Sequence, residues 1–179
     1  MKTLTFFNII LVMLLFASCN NDDDHPTNPV DQLPAATQTG ENTFGCLLDG
    51  EVFLPGGGTN PLDCVYQFVD GGYYFALQGN KRDNNNIGLL IGIGTNNFQI
   101  FENQTYILTE NTPPNVSGAF AFGGVFSYTS TTFTGELHIT KLDETNQIVS
   151  GTFWFDVEDP ISGEIREIRE GRFDMQYTQ

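Results

Sequence analysis

Positive charge is what this chain has least of. Seven Lys and Arg stand against 22 Asp and Glu. Residues 1–18 hold one of those cations and no acid, so six cations face 22 acids in the remainder, a net charge of −16. Such a chain offers no cationic patch for nucleic acid or anionic lipid. Histidine is as scarce: His25 and His138 are the only two. No His/Cys cluster with zinc-ligand spacing is present, and a nucleophilic triad would have little to draw on. No Gly-x-Ser-x-Gly occurs. Gly56-Gly57-Gly58 lacks the Lys-Ser/Thr that a phosphate loop needs. Beyond residue 18 no stretch holds i, i+3, i+4 apolar spacing for long, which argues against helices. Nothing in the pattern asks for a cofactor or a resident metal.

What is present begins at the N-terminus. Met1 and Lys2 precede residues 4–16, LTFFNIILVMLLF, and the small residues Ala17 and Ser18 lead to Cys19. This is the layout of a secretory signal with a small-residue cleavage site. The apolar run is roughly 13 residues, against about 20 for a helix that crosses a membrane. Phe16-Ala17-Ser18-Cys19 resembles a lipobox, with Phe where Leu is commoner. That resemblance implies cleavage before Cys19 and acylation of its thiol and of the new N-terminus. Two acyl chains already anchor a protein stably. The expected organisation is a lipoprotein signal over residues 1–18, a lipidated Cys19 with a disordered acidic tether over 19–42, and a β domain over 43–179.

Asp22, Asp23 and Asp24 follow the cysteine closely and resemble the acidic export signal of Bacteroidota lipoproteins. The stretch LPAATQTGENTFGC, residues 33–46, is similar to the opening of a family of small Bacteroidota outer-membrane lipoproteins of unknown function. Gly171-Arg172-Phe173-Asp174 is similar to the strand that closes its members. The resemblance implies a lipid-anchored, cell-surface protein with one β domain, and it carries over no catalytic residue.

From Thr43 onward the chain reads as strands. Asp49-Gly50 and Asp70-Gly71-Gly72 sit between alternating apolar runs, as tight hairpin turns require. FQIF (98–101) and TYILTE (105–110) surround a short turn. GAFAFGGVFSYT (118–129) places Phe on alternate residues and then a Gly pair, which predicts a bend. About ten short strands at regular spacing predict an all-β fold: a single antiparallel β-sandwich or a lipocalin-like β-barrel. Cys46 and Cys64 are either a disulfide, closing a loop of roughly 19 residues for about 3 kcal/mol, or two buried thiols.

The hairpin over 134–157 carries the candidate site. Leu137 and Ile139 alternate with Glu136 and His138; Phe153, Phe155 and Val157 alternate with Thr152, Trp154 and Asp156. Parity must match across an antiparallel pair. A three-residue loop, Glu144-Thr145-Asn146 with Asn146 left-handed, achieves this. It sets Glu136 opposite Trp154, the only tryptophan, on a polar face with His138, Thr152 and Asp156. Arg172 and Asp174 can join from the last strand. An aromatic ring among carboxylates and hydroxyls suits a sugar. Three functions compete: a binding module for a glycan, a peptide or an envelope protein; a glycan hydrolase using Glu136 and Asp156 as its carboxyl pair; and a structural subunit of a surface assembly. The acidic run Asp156, Glu158 and Asp159 would suit calcium, without the EF-hand pattern.

Overall fold

The computed structural model describes residues 28–58 and 60–179. The signal, Cys19, the acidic run 22–24 and His25 lie outside the described residues. Alternating apolar and polar residues build the strands, and tight turns join many of them. The strands are β1 (Thr43–Leu48), β2 (Glu51–Phe53), β3 (Leu62–Val69), β4 (Gly72–Arg82), β5 (Gly88–Thr95), β6 (Gln104–Leu108), β7 (Val116–Phe122), β8 (Val125–Tyr128), β9 (Gly135–Asp143), β10 (Ile148–Glu158) and β11 (Ile165–Gln176). Asp49 and Gly50, at φ 52° and 82°, and Asp70 and Gly71, at 51° and 80°, form the two expected hairpin turns. Gly123 and Gly124 also have positive φ, so the expected bend is a two-residue hairpin joining β7 to β8.

All the strands belong to one sheet, in the order β2-β1-β11-β10-β9-β6-β7-β5-β4-β3, with β8 added to β7. The fold is all-β and sandwich-like, and the sheet does not close into a barrel. One pairing departs from the antiparallel expectation: β6 and β7 meet in parallel at Leu108 and Val116. The outer edge of β3 is stitched to the C-terminal tail. Tyr66 N–H donates to Thr178 O, and Thr178 N–H donates to Cys64 O. Residues 98–101 are not the expected strand. The Phe98 N–H donates to Tyr73 O and the Phe101 N–H to the Tyr106 hydroxyl, while Ile100 is buried. The segment therefore forms no ladder.

The inward residues form one aromatic core. Phe53, Phe75, Phe120, Phe155 and Phe173 are all fully buried, and each is worth about 1.5–3 kcal/mol relative to exposure. Cys46 and Cys64 lie in this core as free thiols, so the disulfide is not formed. Burial pushes both thiols up, away from the reactive thiolate.

Residues 28–42, expected to belong to a disordered tether, have a defined path on the domain. From Asn28 the chain is placed against the domain, beginning with a 3-10 turn over Pro29–Gln32 that Asn28 caps. Leu33 is buried, and Pro34 packs so close to Gly45 that a Cβ there would lie 2.6 Å from it. Asp174, fully buried on β11, fastens the next residues. Its carboxylate accepts hydrogen bonds from Thr37 Oγ1 (2.7 Å), Thr39 N (2.9 Å), Gly40 N (2.8 Å), Glu41 N (3.2 Å) and Ser150 Oγ (2.7 Å). A disordered segment has no use for a buried carboxylate; this one supplies its donors.

Burial alone would raise the Asp174 pKa. The hydroxyls of Thr37 and Ser150 and the N–H groups of Thr39 and Gly40 outweigh it and hold the group at about 2, below its ordinary 3.8. Because the folded value is the lower one, the ionised carboxylate stabilises the fold above pH ~3.8. That contribution, on the order of 2 kcal/mol, is lost as pH falls toward 2. Asp174→Asn, which keeps the shape and removes the charge, is expected to cost about 2–4 kcal/mol in urea denaturation at pH 7. The difference from wild type should shrink at pH 2–3. Equal stability of the two proteins at pH 7 would contradict the anchoring role.

Candidate functional site

The hairpin β9–β10 reaches the expected pairing by a different route. Asp143 pairs Ile148, leaving a four-residue loop in which Gln147, at φ 55°, is the left-handed residue instead of Asn146. The Asp143 carboxylate holds the loop by accepting from the N–H groups of Thr145 and Asn146, each at 3.0 Å. The extra loop residue would reverse the parity of the pair. A bulge at Thr140, where the register shifts between Ser150 and Gly151, restores it. Glu136 then lies opposite Trp154, His138 opposite Thr152, and Leu137 opposite Phe153.

The register extends this face over four strands. Ile107 of β6 is opposite Glu136, and Thr105 is opposite His138. Thr152 is opposite Arg172 of β11. Two polar-and-apolar rows therefore run across the outside of the sheet, one through Ile107, Glu136 and Trp154 and the other through Thr105, His138, Thr152 and Arg172. Trp154 remains 37% exposed. Its indole N–H donates to Glu136 Oε2 at 3.3 Å, and His138 Nδ1 lies 2.9 Å from Thr105 Oγ1.

A second bulge shapes the other wall. Both neighbours of β11 lose register at the same place, between Phe153 and Phe155 on β10 and between Gly45 and Leu47 on β1. Glu170 sits there at φ 54°. The bulge brings Arg169 over the indole, with its guanidinium carbon 5.5 Å from the ring centroid. Arg169 donates to the carbonyls of Phe155 (3.1 Å) and Ile168 (3.0 Å) and lies 2.6 Å from Asp156 Oδ1. Arg172 is steadied by Glu170, donating to its carbonyl at 3.2 Å.

The result is an open groove of about 600 Å³. It brings together Trp154, Glu136, His138, Thr152 and Arg172 of the expected face. Asp156 is not part of its lining and is engaged by Arg169. Asp174, which parity also offered, is buried beneath residues 37–41. Arg169, Glu170 and Ala36 line the groove and were not legible as site residues. A signal for the first two exists in the sequence: inward positions are Ile168 but then Phe173 and Met175, an even-to-odd change that only a bulge allows. Ala36 arrives with the segment that Asp174 fastens.

The acidic run suggested for calcium is a loop staple. Asp159 accepts from the N–H groups of Ile161 (2.9 Å) and Ser162 (3.0 Å), and Arg166 bridges Asp159 and Asp49, each at 2.9 Å. The oxygens of Asp159 are thereby used within the protein.

No family model, curated protein or solved structure matches the chain.

A left-handed conformation costs a non-glycine residue roughly 1–2 kcal/mol. Glu170→Gly is therefore expected to stabilise the fold by about 0.5–1 kcal/mol, after the entropy that glycine loses on folding. Glu170→Val is expected to destabilise it by at least about 1 kcal/mol. Urea denaturation of both variants checks this, and the opposite order would remove the bulge from its place in building the groove.

Proposed function

We propose that the protein is a lipid-anchored cell-surface binding module that holds a glycan in the Trp154 groove. The observation that carries this reading is the sole tryptophan standing part-exposed in an open groove, flanked by a carboxylate, an imidazole, a hydroxyl and a guanidinium. The ring offers a flat apolar surface for a sugar's C–H face, and the polar groups suit its hydroxyls. Arg169 lends the indole a fixed orientation, which lowers the entropy lost on binding. The engagement of Asp156 by Arg169 favours holding over hydrolysis, because a pair of free carboxyl groups is what glycoside cleavage uses.

The anchor fits the same reading. Among the described residues no helix is long and apolar enough to cross a membrane. Lipid on Cys19 would supply the attachment. With Leu33 buried in the domain, the link from Cys19 is 14 residues by number and spans at most about 50 Å, against about 80 Å for a tether reaching residue 42. The domain would work close to the membrane surface. The segment that leads to the anchor also supplies Ala36 to the groove's rim.

Trp154 is the only indole, so its emission reports on the groove alone. A glycan array followed by fluorescence titration of the best hit tests the proposal. Wild type is expected to show a ligand-dependent change in emission. Trp154→Ala is expected to bind at least tenfold more weakly by calorimetry while melting within a few degrees of wild type. Full binding by Trp154→Ala, or no glycan bound by wild type, would refute it.

A further inference from the structure

The inward alternation of three strands runs on past the core. On β3, Cys64 and Tyr66 are buried, and Phe68, next on the same face, is 63% exposed. Its cross-strand partner is Tyr73 of β4, as Phe75 is the partner of Tyr66. After β11, Tyr177 continues the inward run of Phe173 and Met175, and its N–H donates to Gln147 O in the β9–β10 loop. Four aromatic rings therefore collect at one end of the sandwich. Tyr66 and Tyr73 stack at 5.7 Å and 24°, Phe68 lies 4.9 Å from Tyr73, and Tyr177 stands edge-on to Tyr66 at 5.6 Å and 84°. These mutual contacts fix the rings before any ligand arrives, which lowers the entropy lost on binding.

All four rings line a pocket of about 370 Å³, and Glu144 of the β9–β10 loop lines it with them. No Lys, Arg or His is among the lining residues. Glu144 takes part in no ion pair among the described residues, and Lys141 of β9 is held by Glu102 at 3.6 Å. A second polar group is free. Tyr177 is 3% exposed, and its hydroxyl has no hydrogen-bond partner among the described residues, whereas the Tyr66 hydroxyl donates to Ile100 O at 3.4 Å. Burial, followed by the charge of Glu144, pushes the Tyr66 hydroxyl up to about 12, and the same two causes push Tyr177 up. The field of the carboxylate thus reaches both hydroxyls.

The lining selects its ligand by charge and by hydration. A carboxylate with no cation beside it repels an anion and attracts a cation. Aromatic walls return few hydrogen bonds, so an ion that depends on N–H donors loses more than it gains there. A cation clad in methyl groups has no such donors to leave unpaired, and ring faces attract its charge. We infer that this pocket is a site for a small quaternary ammonium compound, with its methyl groups on Phe68 and Tyr73, its charge toward Glu144 and a polar tail on the Tyr177 hydroxyl. The strongly acidic balance of the chain works in the same direction, because it raises the local concentration of cations. The inference goes beyond the Trp154 reading and stands without it.

Titration of the full chain in a detergent without an ammonium group, followed by the amide resonances of Phe68, Tyr73 and Tyr177, tests the site. The probes are choline, tetramethylammonium, ethanolamine and dimethylbutanol, the last carrying a tert-butyl group in the place and shape of trimethylammonium. Choline and tetramethylammonium are expected to shift these resonances. Choline is expected to bind at least tenfold more tightly than dimethylbutanol, which lacks the charge, and than ethanolamine, which lacks the methyl groups. Glu144→Lys is expected to abolish choline binding, Glu144→Gln to weaken it at least threefold and Phe68→Ala at least fivefold. Both positions are exposed, so these variants are expected to melt within a few degrees of wild type. Tyr177→Phe is expected to weaken choline and leave tetramethylammonium unchanged, and Trp154→Ala to bind choline as wild type does. No choline binding by wild type, dimethylbutanol or ethanolamine as tight as choline, or full binding by Glu144→Lys or Phe68→Ala would overturn the inference. Loss of choline binding in Trp154→Ala alone would assign the ammonium group to the other groove and overturn it as well.

Discussion

One buried carboxylate organises the part of this protein that is not sheet. Taking an ion out of water costs several kcal/mol unless hydrogen bonds replace the lost hydration. Asp174 lies opposite Ser150 on the neighbouring strand and receives its hydroxyl, and residues 37–41 provide every other donor it has. The dependence runs both ways. Without those residues the carboxylate would keep only the Ser150 hydroxyl, and without the carboxylate a polar stretch rich in Thr and Gly would have little to hold it. Because Ala36 immediately precedes Thr37, the same bonds set one rim of the Trp154 groove.

The groove itself depends on two breaks in strand regularity. A sheet with perfect register presents rows of side chains at even spacing and few hollows. The Thr140 bulge corrects the parity that a four-residue loop would have spoiled, and so keeps Trp154 on the outer face. The Glu170 bulge interrupts β11 toward both neighbours and swings Arg169 over the indole. Bulges gather where a side chain must be re-aimed, and both of these lie on the strands that carry the candidate site.

Local signals carried much of the fold. Asp-Gly turns and period-two alternation announce hairpins because both are properties of a few adjacent residues. The Glu136–Trp154 juxtaposition was legible for the same reason: parity across one hairpin, with an apolar face to satisfy, leaves little choice. The details that escaped depend on distant partners. Residues 28–42 look like a linker until Asp174 is placed beside them. Phe98 and Ile100 have strand-like composition, yet Tyr73 O takes the Phe98 N–H and the Tyr106 hydroxyl takes the Phe101 N–H out of any ladder. Cys46 and Cys64 were left between two states because spacing along the chain does not say whether two sulfurs meet. Arg169 hid behind an interrupted alternation.

The most direct measurement is amide hydrogen exchange at Thr39 and Gly40, whose N–H groups donate to Asp174. At pH 6 both are expected to exchange as slowly as ladder amides of β10 and β11. In Asp174→Asn both should become fast while the β9–β10 ladder stays protected. Exchange of Thr39 and Gly40 at unstructured-chain rates in the wild-type protein would contradict the account, because the segment would then be a free tether and the groove would lack its rim.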